Sequence, residues 1–136
     1  MKGLRVLVVA DDDSRAVIAD MLLQFGAEVL TAASANDALQ ALELWSPDVL
    51  LSDIEMPNED SYSLLQKIRS KDGKSGGLIP AAALTAYGRS EDRVRVLKAG
   101  YQSYLRKRVD PHELALMVAS LAKTSDVKSS STPHLN

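Results

Sequence analysis

Cysteine is absent from this chain of 136 residues, which excludes disulfides and thiolate metal sites. Histidine occurs only at His112 and His134, too few and too scattered for a histidine-based metal centre. No charge of one sign dominates. Sixteen Lys and Arg (16) stand against 18 Asp and Glu, and a net charge of -2 gives no general attraction to nucleic acid or an anionic membrane. No apolar run nears the roughly 20 residues that span a bilayer. The start, Met1-Lys2-Gly3-Leu4-Arg5, lacks a signal-peptide pattern, because charge returns at Asp11 after a short apolar run. The expectation is a cytoplasmic protein with neither nucleic acid nor membrane as partner. Internal repeats and a second domain are missing as well.

What is present suffices for one folded unit. Hydrophobic residues make up 46% of the chain and charged ones 25%, and this length buries a proper core. Leu4 to Val9 is a β-branched apolar run, hence a central strand. Ala10-Asp11-Asp12-Asp13-Ser14 follows, with Ser14 as the expected N-cap of a helix. Val17, Ile18, Met21, Leu22 and Phe25 recur at helical spacing, and Gly26 supplies the stop. Ala27 to Thr31 reads as a second strand. Ser34 opens the next helix with Asp37 three residues on, a relative of the capping box. Ala38, Leu39, Leu42 and Trp45 form its stripe, and Pro47 ends it. Val49-Leu50-Leu51 is a strand buried on both faces, and Asp53 stands where it runs out.

Further on, a helix over 61–70 turns Leu64, Leu65 and Ile68 inward. The stretch Lys71 to Gly77 reads as an exposed loop. Its Gly73-Lys74-Ser75 is no phosphate loop: Ile68 stands where the leading Gly belongs, and the helix precedes the loop. Ile79 to Leu84 is a fourth strand, followed by Thr85-Ala86-Tyr87-Gly88. Ser90 caps a helix carrying Val94 and Leu97, closed by Gly100. Tyr101 to Leu105 is a fifth strand, ending at Lys107. Asp110-Pro111-His112-Glu113 is a strong helix start, and Leu114, Met117, Val118 and Leu121 give that helix its apolar face. Residues 1–122 thus form the folded domain. From Lys123 on, Ser, Thr and Pro dominate, and 123–136 is expected to be a disordered tail.

The order βαβαβαβαβα, with right-handed crossovers, predicts a five-stranded parallel sheet with helices on both faces. All strand carboxyl ends then share one edge. That edge collects Asp11, Asp12, Asp53, Thr85 and Lys107, each interrupting or following an apolar strand. Clustered carboxylates repel one another and favour a divalent cation, and oxygen donors suit Mg2+. Such a cation would neutralise an incoming phosphoryl group, with Asp53 as the nucleophile that attacks phosphorus. A carboxylate is already ionised at neutral pH, so no general base is required. Thr85 offers a hydroxyl and Lys107 an ammonium to the phosphoryl oxygens, while Ala86 leaves room for the donor. The competing structural account is an ion-pair cluster in which Lys107 neutralises the acids and no chemistry occurs.

The motifs Val8-Val9 followed by acids, Leu51-Ser52-Asp53-Ile54-Glu55-Met56-Pro57, Leu84-Thr85-Ala86 and Leu105-Arg106-Lys107, in this order, resemble the response-regulator receiver domain of two-component signalling. The resemblance covers Leu4 to about Leu121, and the flanking segments look like receivers fused to hybrid histidine kinases. It implies a flavodoxin-like fold and a phosphoryl group taken by Asp53 from a histidine kinase or histidine phosphotransfer domain. It implies that Asp11 ligates Mg2+ through its side chain and Glu55 through its backbone carbonyl. It further implies that Thr85 and Tyr104 form a switch pair, altering a face for an output protein the sequence does not name. Such a chain is not an enzyme acting on a separate substrate; it catalyses only its own phosphotransfer and dephosphorylation.

Two departures stand out. Ala10 fills the first of two places where the family carries acids, which should weaken Mg2+ binding. The span from Asp11 to Gly26 is about one residue short, so Asp12 is an alternative ligand. Arg108 replaces the usual Pro after the Lys, and a cis bond before a non-proline costs about 2.5 to 4 kcal/mol, so a trans bond is expected at 107–108. These departures motivate an alternative, a pseudo-receiver that keeps the fold as an interaction module without phosphoryl chemistry. A flavin-binding electron carrier on the same architecture is disfavoured, because the first turn is acidic and lacks a Ser/Thr/Gly phosphate cradle. No DNA-binding segment follows the expected domain, so the chain reads as a stand-alone regulator or a piece of a larger one.

Overall fold

The structure, a computed structural model, describes residues 3–10, 12–54, 61–70, 78–85, 90–106 and 110–134. Strands and helices alternate along the chain. They are β1 (Arg5–Val9), α1 (Asp12–Gln24), β2 (Glu28–Ala32), α2 (Ala35–Trp45), β3 (Val49–Asp53), α3 (Ser61–Arg69), β4 (Ala81–Thr85), α4 (Ser90–Ala99), β5 (Ser103–Arg106) and α5 (Pro111–His134). All five strands are parallel, in the order β2-β1-β3-β4-β5. This is the flavodoxin-like arrangement expected from the alternating pattern. The chain moves outward from β1 to β2, then crosses back to β3 and continues the other way. The reversal leaves a crevice outside the carboxyl ends of β1 and β3, the place where such sheets carry their sites.

Helices cover both faces, so the central strands are apolar residue after residue instead of alternating. One layer joins Ile18 and Leu22 of α1 and Leu114 and Val118 of α5 to Val6, Val8, Val49 and Leu51. The other joins Ala38 and Leu42 of α2, Leu64, Leu65 and Ile68 of α3 and Val96 of α4 to Leu7, Val9 and Leu50. Strand β4 contributes Ala81-Ala82-Ala83, all fully buried, although alanine is a poor strand former. Burial on both faces outweighs that preference.

Helix ends follow local chemistry. At Gly26 and Gly100 the backbone is left-handed, with φ of 89° and 108°. The N–H of Gly26 donates to Leu23 O at 3.0 Å and that of Ala27 to Leu22 O at 3.2 Å. Gly100 and Tyr101 repeat the pattern on Leu97 and Val96, so α1 and α4 both close with a Schellman turn. Glycine is required there because any Cβ is strained at such a φ; at Gly100 it would also meet Leu65 at 3.3 Å. Ser34 caps α2, its Oγ accepting from the Asp37 N–H at 3.2 Å. Ser34→Ala removes that acceptor. We expect a loss of about 1 kcal/mol, read as a Tm about 4 °C lower in thermal melts. Asp110 caps α5, accepting from the N–H groups of His112 and Glu113 at 2.9 and 3.1 Å.

Arg69 ties the end of α3 to the amino edge of the sheet. Its guanidinium donates to the carbonyls of Ile79 and Gly100 and to Gln102 Oε1, while Gln102 Oε1 also accepts from the Ala81 N–H. Burial pulls the Arg69 pKa below its ordinary value, with the phenol of Tyr101 opposing.

The structure corrects some expectations. α1 begins at Asp12, so Ser14 lies inside its first turn and is not its N-cap. α2, by contrast, ends as expected at Pro47: Ser46, directly before it, is the C-cap in a left-handed conformation, φ 53°. A residue preceding proline is kept out of the helical region, which stops the helix there. In α4 the inward residue is Val96, 0% exposed, whereas Val94 and Leu97 are 51% and 49% exposed. At about 100° per residue Val94 and Leu97 share one face and Val96 points elsewhere, so the apolar pattern offers two faces. Among the described side chains of α4, packing buries Val96 fully and Ala99 in part against this layer. α5 spans Pro111–His134, and the disordered tail over 123–136 remains an expectation.

Candidate functional site

Asp53 is the last residue of β3, the middle strand of the sheet, and it is 0% exposed. The register explains its neighbours. Val9 pairs with Ser52, so Ala10 follows beside Asp53, about one strand spacing of ~5 Å away and in the same apolar layer. Ala10 is fully buried, and its carbonyl lies 3.5 Å from Arg15 Nη1 in the first turns of α1. On the other side Asp53 pairs with Leu84, which places Thr85 one residue further along β4. The Cα atoms of Asp53 and Thr85 are then roughly 6 Å apart. Thr85 is also fully buried, and the chain continues from Asp53 with the Ile54 N–H donating to Leu84 O at 3.0 Å.

Strand alternation starts Asp53 on the α1/α5 face and Thr85 on the face covered by α2, α3 and α4. A group held by both has to sit on the rim of the sheet and not on either face. Asp53 makes contacts with its surroundings, and of its two carboxylate oxygens Oδ2 is buried without a hydrogen bond.

Tyr104 of β5 pairs with Ala83, which puts it on the same face as Thr85, with Cα atoms roughly 8 Å apart. Its ring is half-buried and packs against the layer containing Val96 and Tyr101. The two residues expected to act as a pair are therefore diagonal neighbours on one face. Asp12 opens α1 at the same edge. Asp11, Glu55, Ala86, Lys107 and Arg108 lie outside the described residues, and the expectations for them, including the trans bond at 107–108, remain expectations. Among the described residues no cis peptide bond occurs, and no three acids or histidines cluster as metal ligands.

The donor chemistry nevertheless fits a hard cation. A buried carboxylate stands at the switch point, the sequence places three consecutive acids just past the neighbouring strand, and neither thiolate nor imidazole is at hand. One polar residue of the site was passed over in the sequence. Ser52, directly before Asp53, is fully buried and its Oγ has no hydrogen-bond partner. The available signal was a hydroxyl interrupting the apolar run Val49-Leu50-Leu51.

Comparison with known proteins agrees with this geometry. Residues 6–119 match the response regulator receiver domain. An uncharacterized 14.6 kDa protein of Leptolyngbya boryana is 44% identical over 114 residues, 83% of this chain and 86% of that one. The sensor histidine kinase RcsC of Salmonella typhi is 36% identical over 121 residues, which are 88% of this chain but only 12% of the kinase. The receiver domain of the sensor histidine kinase PA1611 from Pseudomonas aeruginosa, solved with a magnesium ion coordinated in its active-site cleft, superposes with a TM-score of 0.80. It is 31% identical, covering 89% of this chain and 98% of that one. Among the described residues no helix is long and apolar enough to cross a membrane. Sheet order, an aspartate at the switch point and a match over nearly the whole described fold lead to one assignment: the chain belongs to the response regulator receiver domain family of two-component signalling.

Proposed function

We propose that this receiver accepts a phosphoryl group on Asp53 from a histidine kinase or a histidine phosphotransfer domain, and that the modified edge presents an altered face to an output protein. The observation that supports this most is the position of Asp53. It ends the middle strand at the switch point, with the Thr85 hydroxyl one strand away. In the transfer, an Asp53 oxygen forms a bond to phosphorus as the donor's phosphorus–nitrogen bond breaks. The imidazole departs with the electron pair. Thr85 then donates its hydroxyl to a phosphoryl oxygen, and Lys107 adds a positive charge from the end of β5. Asp53, Asp11 or Asp12 and the backbone carbonyl of Glu55 would hold Mg2+, which when bound offsets the charge brought by the phosphoryl group. The protein turns over no separate substrate; it catalyses only the gain and loss of its own modification.

The test is intact-mass measurement after incubation with acetyl phosphate. With millimolar Mg2+ the chain gains one phosphoryl mass; with excess EDTA it gains none. Absence of the gain in Mg2+ removes the proposal.

A second reading, an interaction module without phosphoryl chemistry, is favoured by the fully buried methyl of Ala10 beside Asp53 and by the burial of Asp53 itself. A titration decides between them. Mg2+ binding at millimolar concentration that disappears in Asp11→Ala speaks for the receiver chemistry, and no binding speaks for the module.

A further inference from the structure

Ser52 carries a buried hydroxyl that nothing in the resting fold satisfies. Leaving such a group unpaired is unfavourable, so a sequence that places serine there in an otherwise aliphatic strand needs a reason. The register supplies one. Val9, Ser52, Ala83 and Tyr104 form a single row across β1, β3, β4 and β5. All four belong to the face covered by α2, α3 and α4, since Val9, Ala83 and Tyr104 share that apolar layer. Val9 and Ala83 flank Ser52 and are apolar, so Tyr104 is the first polar side chain reached along the row. Two strand spacings, roughly 10 Å between Cα atoms, separate it from Ser52. Along the row the residue between them is Ala83. A phenol laid across its methyl covers most of the distance, and the seryl Oγ covers the rest. In this structure the Tyr104 ring is half-buried, and Ser52 Oγ has no partner, so the lane is not in use.

We infer that Ser52 is the inward docking partner of Tyr104: when Tyr104 folds over Ala83, its hydroxyl donates to Ser52 Oγ. The inference rests on the proposed phosphoryl reading, because modification of Asp53 is what is proposed to set the inward movement of Tyr104 in motion. Ser52 thereby becomes a positioning residue for the switch, linked to Asp53 by one peptide unit and to the α4/β5 surface by Tyr104. The orphaned hydroxyl biases the pair toward the inward state by leaving the outward state with an unmet hydrogen bond. Ala83 is the gate, since any larger side chain closes the lane.

The full chain labelled with 3-fluorotyrosine tests this by fluorine NMR, with Mg2+ and beryllofluoride mimicking the modified aspartate. The Tyr104 resonance is identified by its loss in Tyr104→Phe. It moves when beryllofluoride is added to the wild type. In Ser52→Ala, which folds because it only removes an unsatisfied oxygen, the inward-to-outward ratio falls roughly fivefold, as expected for one neutral hydrogen bond. An equal movement in Ser52→Ala and wild type overturns the inference and leaves the phosphoryl reading intact. No movement of Tyr104 in the wild type overturns both.

Discussion

Asp53→Asn takes up no phosphoryl group from acetyl phosphate in Mg2+, while the wild-type chain gains one. The expected effect is complete, because the amide has the shape of the carboxylate but lacks its nucleophilic oxygen. No other described acid stands in the same position. Asp53 alone ends the middle strand at the crevice between β1 and β3, next to Thr85. The substitution is nearly isosteric, so the far-ultraviolet circular dichroism spectrum should not change, and loss of uptake then reports chemistry and not unfolding. Intact mass, with peptide mapping of the modified residue, checks the result. A variant that gains as much mass as the wild type would move the acceptor elsewhere and remove the central claim about this site.

The second large effect is on stability. Leu50→Ala lowers the unfolding free energy by about 2–5 kcal/mol. Leu50 is fully buried in β3, pairs with Leu7 and Ala81, and lies in the layer under α2, α3 and α4. A strand held between two covered faces has little freedom to collapse around a cavity, which places the cost toward the upper end. A domain of this size is stable by only about 5–15 kcal/mol, so the loss is a large share of the total. We expect the Tm to fall by roughly 10–20 °C. Leu44→Ser is the control. Leu44 is 87% exposed on α2, so its replacement should change stability by no more than about 0.5 kcal/mol. Equal losses at the two positions would mean that the sheet core is not where this structure puts it.

Much of the site was legible before any coordinates because strand ends are marked by chemistry. Apolar runs of strand length give way to polar residues at Ser52-Asp53 and at Thr85, and parallel strands joined by helices deliver both breaks to one edge. The caps of α2 and α5 were legible for a similar reason: Ser34 and Asp110 act on backbone groups two or three residues away. Ser14 fails as a cap because the helix in front of it starts two residues earlier, and a string of acids offers several equivalent starts.

The amino-acid sequence by itself determined the order of elements, the parallel sheet, and the edge on which Asp53 and Thr85 stand. These follow from periodicity and from residues whose effect is local. Tertiary structure alone decided that Val96 and not Val94 or Leu97 faces the sheet, and that the strand with three alanines lies between β3 and β5. It also decided that Asp53 is wholly covered and that Ser52 shares a row with Tyr104. Each of these depends on what packs from a distant part of the chain, or on which residues lie opposite one another across strands. Periodicity within one segment carries no record of either.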